Sequence, residues 1–298
     1  MTTSMQRSAP RRGRGTLWLV LSTMVGAFLT TLFFQRRAGA GASTRTNRAR
    51  ANLTPKPGSE QQAERIRALA EQIKKCWPDV TSSSGPSDAA LELALAQAAG
   101  ETGYGQGWGK DSDMNGSWNI GAYQCSKGSS GGATYKCVEH KDSRPDPANP
   151  GGPNIEYTTG FRFYLDAEGR TAAENGARDF LASITVKPFP ALEQLKSGSV
   201  LDYAARIGSL GYYEGFNPES PQAGSIKDWQ SKWSDSLSYL KSRYGAELEK
   251  RAARVKATPE QVAGRWCLYA RAMGRHLPEI AAALGHSDVA AYLPADLA

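Results

Sequence analysis

Residues Ala89 to Gly103 read AALELALAQAAGETG. Pro86, Ser87 and Asp88 just before it supply a helix start, and the eleven residues Ala89 to Ala99 are apolar on nearly every face. A helix that is hydrophobic all round has no side to give to water, so it must run through the middle of a helical domain. The run stops at Gly100-Glu101-Thr102-Gly103. A carboxylate at that point meets the negative end of the helix and low-dielectric packing, and both disfavour its ionised form. A raised carboxyl pKa is what a general acid needs to protonate a glycosidic oxygen near neutral pH. Gly100, Gly103, Gly105, Gly107 and Gly109 around Glu101 leave room for a substrate to approach.

Working outward, Ile66, Leu69, Ile73 and Trp77 recur at helical steps from Gln61 on, and Pro78 is expected to end that helix. From Tyr104 to Thr159 the chain is rich in Gly, Asn, Ser and Pro. Its strand-like pieces, IEYTT and FRFYL, predict a small hairpin region beside the helical body. Helical patterns return over Thr171 to Ser183 and Ala191 to Leu210. A single apolar stripe follows, formed by Ile226, Trp229, Trp233, Leu237, Leu240 and Tyr244. Residues 246–298 form a further helical extension. Within it, RHLPEIAAALGHSD is similar to a stretch of tyrosine recombinases, but the distributed Arg, His and Tyr set and the basic domain of that family are lacking. His286 is therefore read as a surface or capping residue.

Charge and cysteine usage narrow the setting. Of the formal +7 on 298 residues, nine positive charges are arginines within residues 1–50, which hold no acidic residue, so the remainder carries −2. A folded part of that balance has no clustered cations with which to release counterions from a polyphosphate, and nucleic acid is not expected as a partner. Thr16 to Phe34, TLWLVLSTMVGAFLTTLFF, is uncharged over 19 residues. That is enough to cross a hydrocarbon core of about 30 Å at about 1.5 Å per residue. It predicts a transmembrane anchor, with a cleaved secretory signal as the alternative; arginines on both sides leave topology open. The chain divides into a basic segment (1–15), the transmembrane helix (16–34), a flexible linker (35–60), a helical domain (61–245) and the extension (246–298). Four cysteines in an exported chain suit two disulfides. Cys125 and Cys137 enclose a Gly/Ser-rich loop that burial cannot order, and Cys76 with Cys267 follows by elimination. Cys125, Cys137 and His140 match no standard zinc spacing, so no metal is expected, and no organic cofactor either.

ALAQAAGETG (Ala94 to Gly103), NGSWNIG (Asn115 to Gly121) and FRFY (Phe161 to Tyr164), in this order and spacing, resemble the bacterial glucosaminidase branch of the lysozyme-like superfamily, which includes flagellar muramidase-type domains. Gly211-Tyr212 is similar to the Gly-Tyr pair that lines the cleft in that branch. The chain departs from the family at Gly100, where a bulkier residue or Ala usually precedes the Glu, and at Trp118-Asn119-Ile120-Gly121, where the family has Asn-x-Phe-Gly-Ile. The resemblance covers roughly residues 61–245. It implies a mainly α (α+β), lysozyme-like domain with a small β-hairpin lobe, and cleavage of β-1,4 bonds of peptidoglycan with Glu101 as proton donor.

The second catalytic group is open among Glu139, Asp142, Asp146 and Glu156, with Glu156 favoured because IEYTTGFRFY reads as a hairpin whose first strand overhangs the cleft. Tyr212 is expected to orient the substrate's acetamido group or a water. Tyr104, Trp108, Trp118, Tyr123 and Tyr213 are expected to bind substrate, since aromatic faces stack on pyranose rings, and Asn119 is expected to bind it with them. N-acetylglucosaminidase chemistry is the expectation. Lytic transglycosylase or muramidase action remains an alternative, as does a non-catalytic wall-binding protein tethered to the membrane. The expected location is the periplasm or cell envelope, with secretion or a phage particle as alternatives.

Overall fold

The computed structural model describes residues 49–106, 114–126, 128–144, 155–213 and 230–298. The expected transmembrane segment 16–34 lies outside the described residues; among those described, no helix is long and apolar enough to cross a membrane.

Helix α1 (Glu60–Thr81) starts at Ser59, whose hydroxyl accepts the Gln62 N–H. It runs through Pro78 for one more turn instead of stopping there. Thr81 donates to the Trp77 carbonyl at 2.9 Å, and the Trp77 indole donates to Ser83, so side chains secure the turn that proline weakens. Helix α2 (Asp88–Thr102) is capped by Ser87 and ends at Gly103, whose φ of 54° is the left-handed cap that glycine favours. Every residue from Ala90 to Ala98 is buried, as the all-round apolar pattern requires.

The sheet has three antiparallel strands, β1 (Gln124–Cys125), β2 (Tyr135–Arg144) and β3 (Ile155–Tyr164), with β3 in the centre. Its shape corrects the expected hairpin within IEYTTGFRFY: this segment is one continuous strand, paired along its whole length with β2 from Tyr135↔Tyr164 to Arg144↔Ile155. Gly160 does not turn the chain. A Cβ there would lie 3.2 Å from Cys125 Sγ and 3.1 Å from its carbonyl oxygen, so glycine gives room for β1 to approach. Cys125 and Cys137 are joined by a disulfide, as expected, with Cα atoms 6.2 Å apart. The second expected disulfide is corrected. Cys76 and Cys267 are both buried thiols, and Cys76 Sγ lies 3.7 Å from the carbonyl oxygen of Glu174.

The remaining helices are α3 (Ala172–Thr185), α4 (Leu192–Ser197), α5 (Val200–Leu210), α6 (Ser234–Val255), α7 (Pro259–Gly274) and α8 (Leu277–Leu284). Gly198, with φ 73°, divides the expected helix 191–210 into α4 and α5. The stripe expected to 244 begins at Trp233, the N-cap of α6, and α6 continues past a non-helical Tyr244 (φ −123°, ψ 23°); Ile226 and Trp229 lie outside the described residues. Helix α2 packs against α1, α4, α7 and α8. The last two come from the C-terminal extension, which therefore shares the core.

The linker expected over 35–60 is also corrected in its second half. Ala51 is buried and donates to the Leu293 carbonyl at 2.8 Å, Lys56 donates to that of Pro278 at 2.9 Å, and Ala295 donates back to Ala49 at 2.9 Å. Backbone pairing with the C-terminal segment orders these residues, although their side chains offer little to bury.

Glu92, on the central helix, is fully buried. One oxygen is 2.8 Å from His286 Nδ1 and the other accepts the Ala291 N–H at 2.7 Å. His286, read as a surface or capping residue, thus partners a buried carboxylate. Removing one member of a buried pair leaves the other desolvated and uncompensated. His286→Ala should therefore lower unfolding free energy by roughly 3 kcal/mol in urea titrations; a loss under about 0.5 kcal/mol, the size of an ordinary surface change, would show that Glu92 does not depend on the imidazole.

Candidate active site

Glu101 sits in the last turn of α2, one turn beyond the buried Gln97. The chain after it is folded back by short backbone links. Tyr104 donates to the Ala98 carbonyl, Thr102 Oγ1 accepts the Gly105 N–H at 3.1 Å, and Trp118 donates to Gly105 at 2.7 Å. Tyr164 then donates to Ser117 at 2.9 Å and Arg162 to Tyr123 at 3.0 Å. In this way the helix end, the segment 114–123 and strand β3 are one hydrogen-bonded unit. Helix α3 presses on it at Gly176, where a Cβ would fall 2.1 Å from the Trp118 carbonyl oxygen. Tyr104, Trp118 and Ala122 all hold left-handed φ values, of 65°, 54° and 48°. Such conformations persist in non-glycine residues only where the surroundings over-determine them.

Glu101 Oε1 accepts a 2.6 Å hydrogen bond from the Tyr269 hydroxyl of α7. Burial pushes the Glu101 carboxyl above the ordinary carboxylate range, while the Tyr269 bond acts in the opposite direction by stabilising the anion. The Tyr269 phenol is itself raised well above its usual value, by burial and then by the Glu101 charge, so it remains a donor. Its ring stacks on Tyr213 with centroids 4.3 Å apart and meets Tyr212 edge-on at 6.5 Å.

Of the residues expected in the site, Tyr212 lies beside this group; its hydroxyl donates to the Gly121 carbonyl at 2.8 Å and its ring meets Phe189 edge-on. Tyr213 is tied to the Ala204 carbonyl at 2.8 Å. Tyr123 is buried, with its hydroxyl hydrogen-bonded to Ser183. Trp118 is half-buried. Two expectations are corrected. Tyr104 is buried and donates to Glu279 at 2.8 Å, which makes it a packing anchor and not a sugar platform. Asn119 is fully buried, with its amide bracketing Tyr123: Nδ2 donates to the Tyr123 carbonyl at 2.9 Å and Oδ1 accepts the Tyr123 N–H at 2.7 Å. It closes the turn that presents Tyr123. Glu156 is exposed near the start of β3, opposite Ser143, roughly 20 Å along the strand from Arg162 at about 3.3 Å per residue. Glu139 is likewise exposed, on β2. Trp108 and Asp146 lie outside the described residues, as does the side chain of Asp142.

A cavity of about 430 Å³ opens between the 121–124 segment, β3, α3 and Tyr212, with walls from Tyr123, Phe189, Arg162, Asp179 and Lys187. Among the described residues, no cluster of His, Cys, Asp and Glu has a metal-binding arrangement. No family model, curated protein or solved structure matches the chain.

Tyr269, Asp179 and Phe189 were not among the expected site residues. A tyrosine on a buried helical face must find a partner for its hydroxyl, but nothing in the local pattern identifies that partner as a residue 168 positions away.

The raised Glu101 pKa has a measurable sign. Below the ordinary carboxyl value of about 4.3, folded and unfolded chains both bind the proton and no penalty arises. As pH rises the unfolded chain ionises first, and the wild type loses stability until its own raised pKa is passed. The melting temperature of Glu101→Gln should therefore exceed wild type by a margin that grows between pH 4 and pH 8; a margin that is constant or shrinks would contradict a desolvated carboxyl. Tyr269→Phe should move the Glu101 carboxyl further up in a ¹³C titration, and a downward move would show that the phenol is not its anion-stabilising donor.

Proposed function

We propose that this chain is a peptidoglycan hydrolase of the lysozyme-like type that cleaves β-1,4 bonds of the glycan strand, in the manner of an N-acetylglucosaminidase, with Glu101 as general acid. The observation that carries the reading is the placement of Glu101. It is a carboxyl at the end of a helix buried from Ala90 to Ala98, raised in pKa by desolvation and hydrogen-bonded by the Tyr269 phenol, where a helical body meets a small antiparallel sheet. Three left-handed non-glycine residues within the next 21 positions add support, because stored backbone strain gathers at functional sites.

In this mechanism the protonated Glu101 gives its proton to the glycosidic oxygen as the bond from that oxygen to the sugar's C1 breaks, and positive charge develops on the ring. Water adds its oxygen to C1; one of its protons stays on the new hydroxyl and the other is released to a base, after which Glu101 is reprotonated. Tyr269 positions the carboxyl through Oε1 and limits how far its pKa rises. The aromatic-walled cavity beside Tyr212 provides sugar-binding surface. Residues 16–34 would tether the domain to a membrane in the cell envelope, and the reaction needs no metal or organic cofactor.

Lytic transglycosylase action is the second reading, favoured by one observation. Asp179 is engaged by Arg162 and Tyr164, and Glu156 is exposed far along β3, so neither is placed as a nucleophile. A single acid suffices if the sugar's own hydroxyl attacks C1.

Digestion of purified peptidoglycan by the full-length chain separates these readings. Mass spectrometry should find fragments with reducing-end N-acetylglucosamine, and Glu101→Gln should lower their rate of release by 10²- to 10⁴-fold, the usual contribution of a general acid, taken as an order of magnitude. Anhydro-muramyl ends would establish the transglycosylase instead. A folded wild type that releases nothing from several wall types would end the enzymatic reading in favour of a wall-binding protein.

A further inference from the structure

The cavity beside Tyr212 differs from a plain sugar platform in its charge. Strand β3 carries Arg162 into its wall, α3 carries Asp179, and the segment after α3 carries Lys187. The Arg162 guanidinium lies between two rings, 5.6 Å from the centroid of Tyr123 and 4.8 Å from that of Tyr135. This fixes its plane, and its Nη1 pairs with Asp179 Oδ2 at 2.5 Å. The Tyr164 hydroxyl also donates to that Asp179 oxygen. Asp179 is thus committed to Arg162 and Tyr164, and the ammonium of Lys187 is the surplus charge of the pocket. The Nε–H of Arg162 is buried and has no acceptor among the described residues. At about 430 Å³ the space lies within the usual range of small-ligand sites.

We propose that this cavity is an anion subsite, which takes a carboxylate borne by the glycan strand between Arg162 and Lys187 while the sugar ring lies against Tyr123, Phe189 and Tyr212. The inference rests on the hydrolase reading for its choice of ligand. A neutral N-acetylglucosamine unit offers these cations only its acetamido carbonyl and hydroxyl oxygens, and no charge to balance Lys187. A muramyl unit presents a carboxylate either on its lactyl group or on the attached peptide, and the same cations suit both. The subsite would set the register of the strand across Glu101, because only alternate sugars carry the anion.

The test is calorimetric binding to the full-length Glu101→Gln chain, which does not turn its ligand over. Three probes are used at low salt: the neutral N-acetylglucosamine dimer, a disaccharide with a free lactyl carboxylate, and the same disaccharide carrying a stem tripeptide. One or both acidic probes should bind about tenfold more tightly than the neutral one, as one charge-assisted contact provides. Adding Lys187→Glu, an exposed position, should abolish that preference, read as the ratio of acidic to neutral affinity in the same variant. Preference for only one acidic probe would identify which carboxylate is read. Equal affinities for all three, no binding of any, or a preference that survives Lys187→Glu would overturn the proposal. A Lys187-dependent preference in a chain that digests no wall would keep the subsite and remove the hydrolase; digestion without the preference would do the reverse.

Discussion

The whole arrangement depends on one constraint: a helix that is apolar on every face must be enclosed on every side. Helix α2 is met by α1, α4, α7 and α8, drawn from both ends of the chain. Enclosure has a consequence for the few polar groups that the helix carries. Glu92, Gln97 and Glu101 are too deep for water to satisfy them freely, and an unpaired buried polar group costs more than a hydrogen bond returns. Partners come from outside the helix: His286 and the Ala291 amide for Glu92, the Tyr203 hydroxyl for Gln97 Oε1, and Tyr269 for Glu101, while the buried Gln97 Nε2 has no acceptor among the described residues. Three of these four partners belong to the last 53 residues of the chain. The C-terminal extension therefore does two things at once, closing the core and supplying the donor that holds the candidate acid.

What the sequence made legible follows from where the determining interaction lies. The span and burial of α2, with Glu101 at its end, follow from composition within fifteen residues. The Cys125–Cys137 bridge follows from a loop too poor in apolar residues to order itself. Strand β2 was missed, since YKCVEHKDSR is too charged to resemble a half-buried strand. Its order comes from cross-strand contacts such as Lys136 over Phe163 and Tyr135 against Tyr164, which exist only once β3 is in register. Gly160 is ambiguous for the same reason: a glycine flanked by strand formers looks like a turn until a neighbouring strand is seen to need the space. Elimination failed for Cys76 and Cys267 because an even count says nothing about proximity. Their burial in the core is a sufficient reason for both, as buried thiols pack like small hydrophobes.

The site residues divide along the same line. Tyr212 and Tyr123, singled out by the Gly-Tyr pair and by position after Glu101, both line the cavity beside β3. Asn119 and Tyr104 suit a substrate by residue type, yet both are consumed by the protein: one amide brackets a turn and one phenol reaches Glu279. Polar and aromatic residues in a glycine-rich stretch serve two purposes that sequence does not separate. Some face a ligand, and others replace the regular backbone hydrogen bonding that the stretch lacks.

If Glu101 is the acid proposed above, its tie to Tyr269 bears on two requirements at once. Desolvation alone raises a carboxyl pKa, and unchecked burial would keep the group protonated but leave it unable to release its proton readily or to exist as an anion after doing so. The Tyr269 phenol, a neutral donor, counters part of that effect. A lysine or arginine in its place would stabilise the anion far more and drive the pKa below the useful range. Tyr269 lies on a helix packed against α5 and α6 and stacked on Tyr213, so its hydroxyl is held in place by packing remote from Glu101. The acid strength of Glu101 is thereby linked to the integrity of the C-terminal core, and residues far outside the site acquire influence over its chemistry through one 2.6 Å contact.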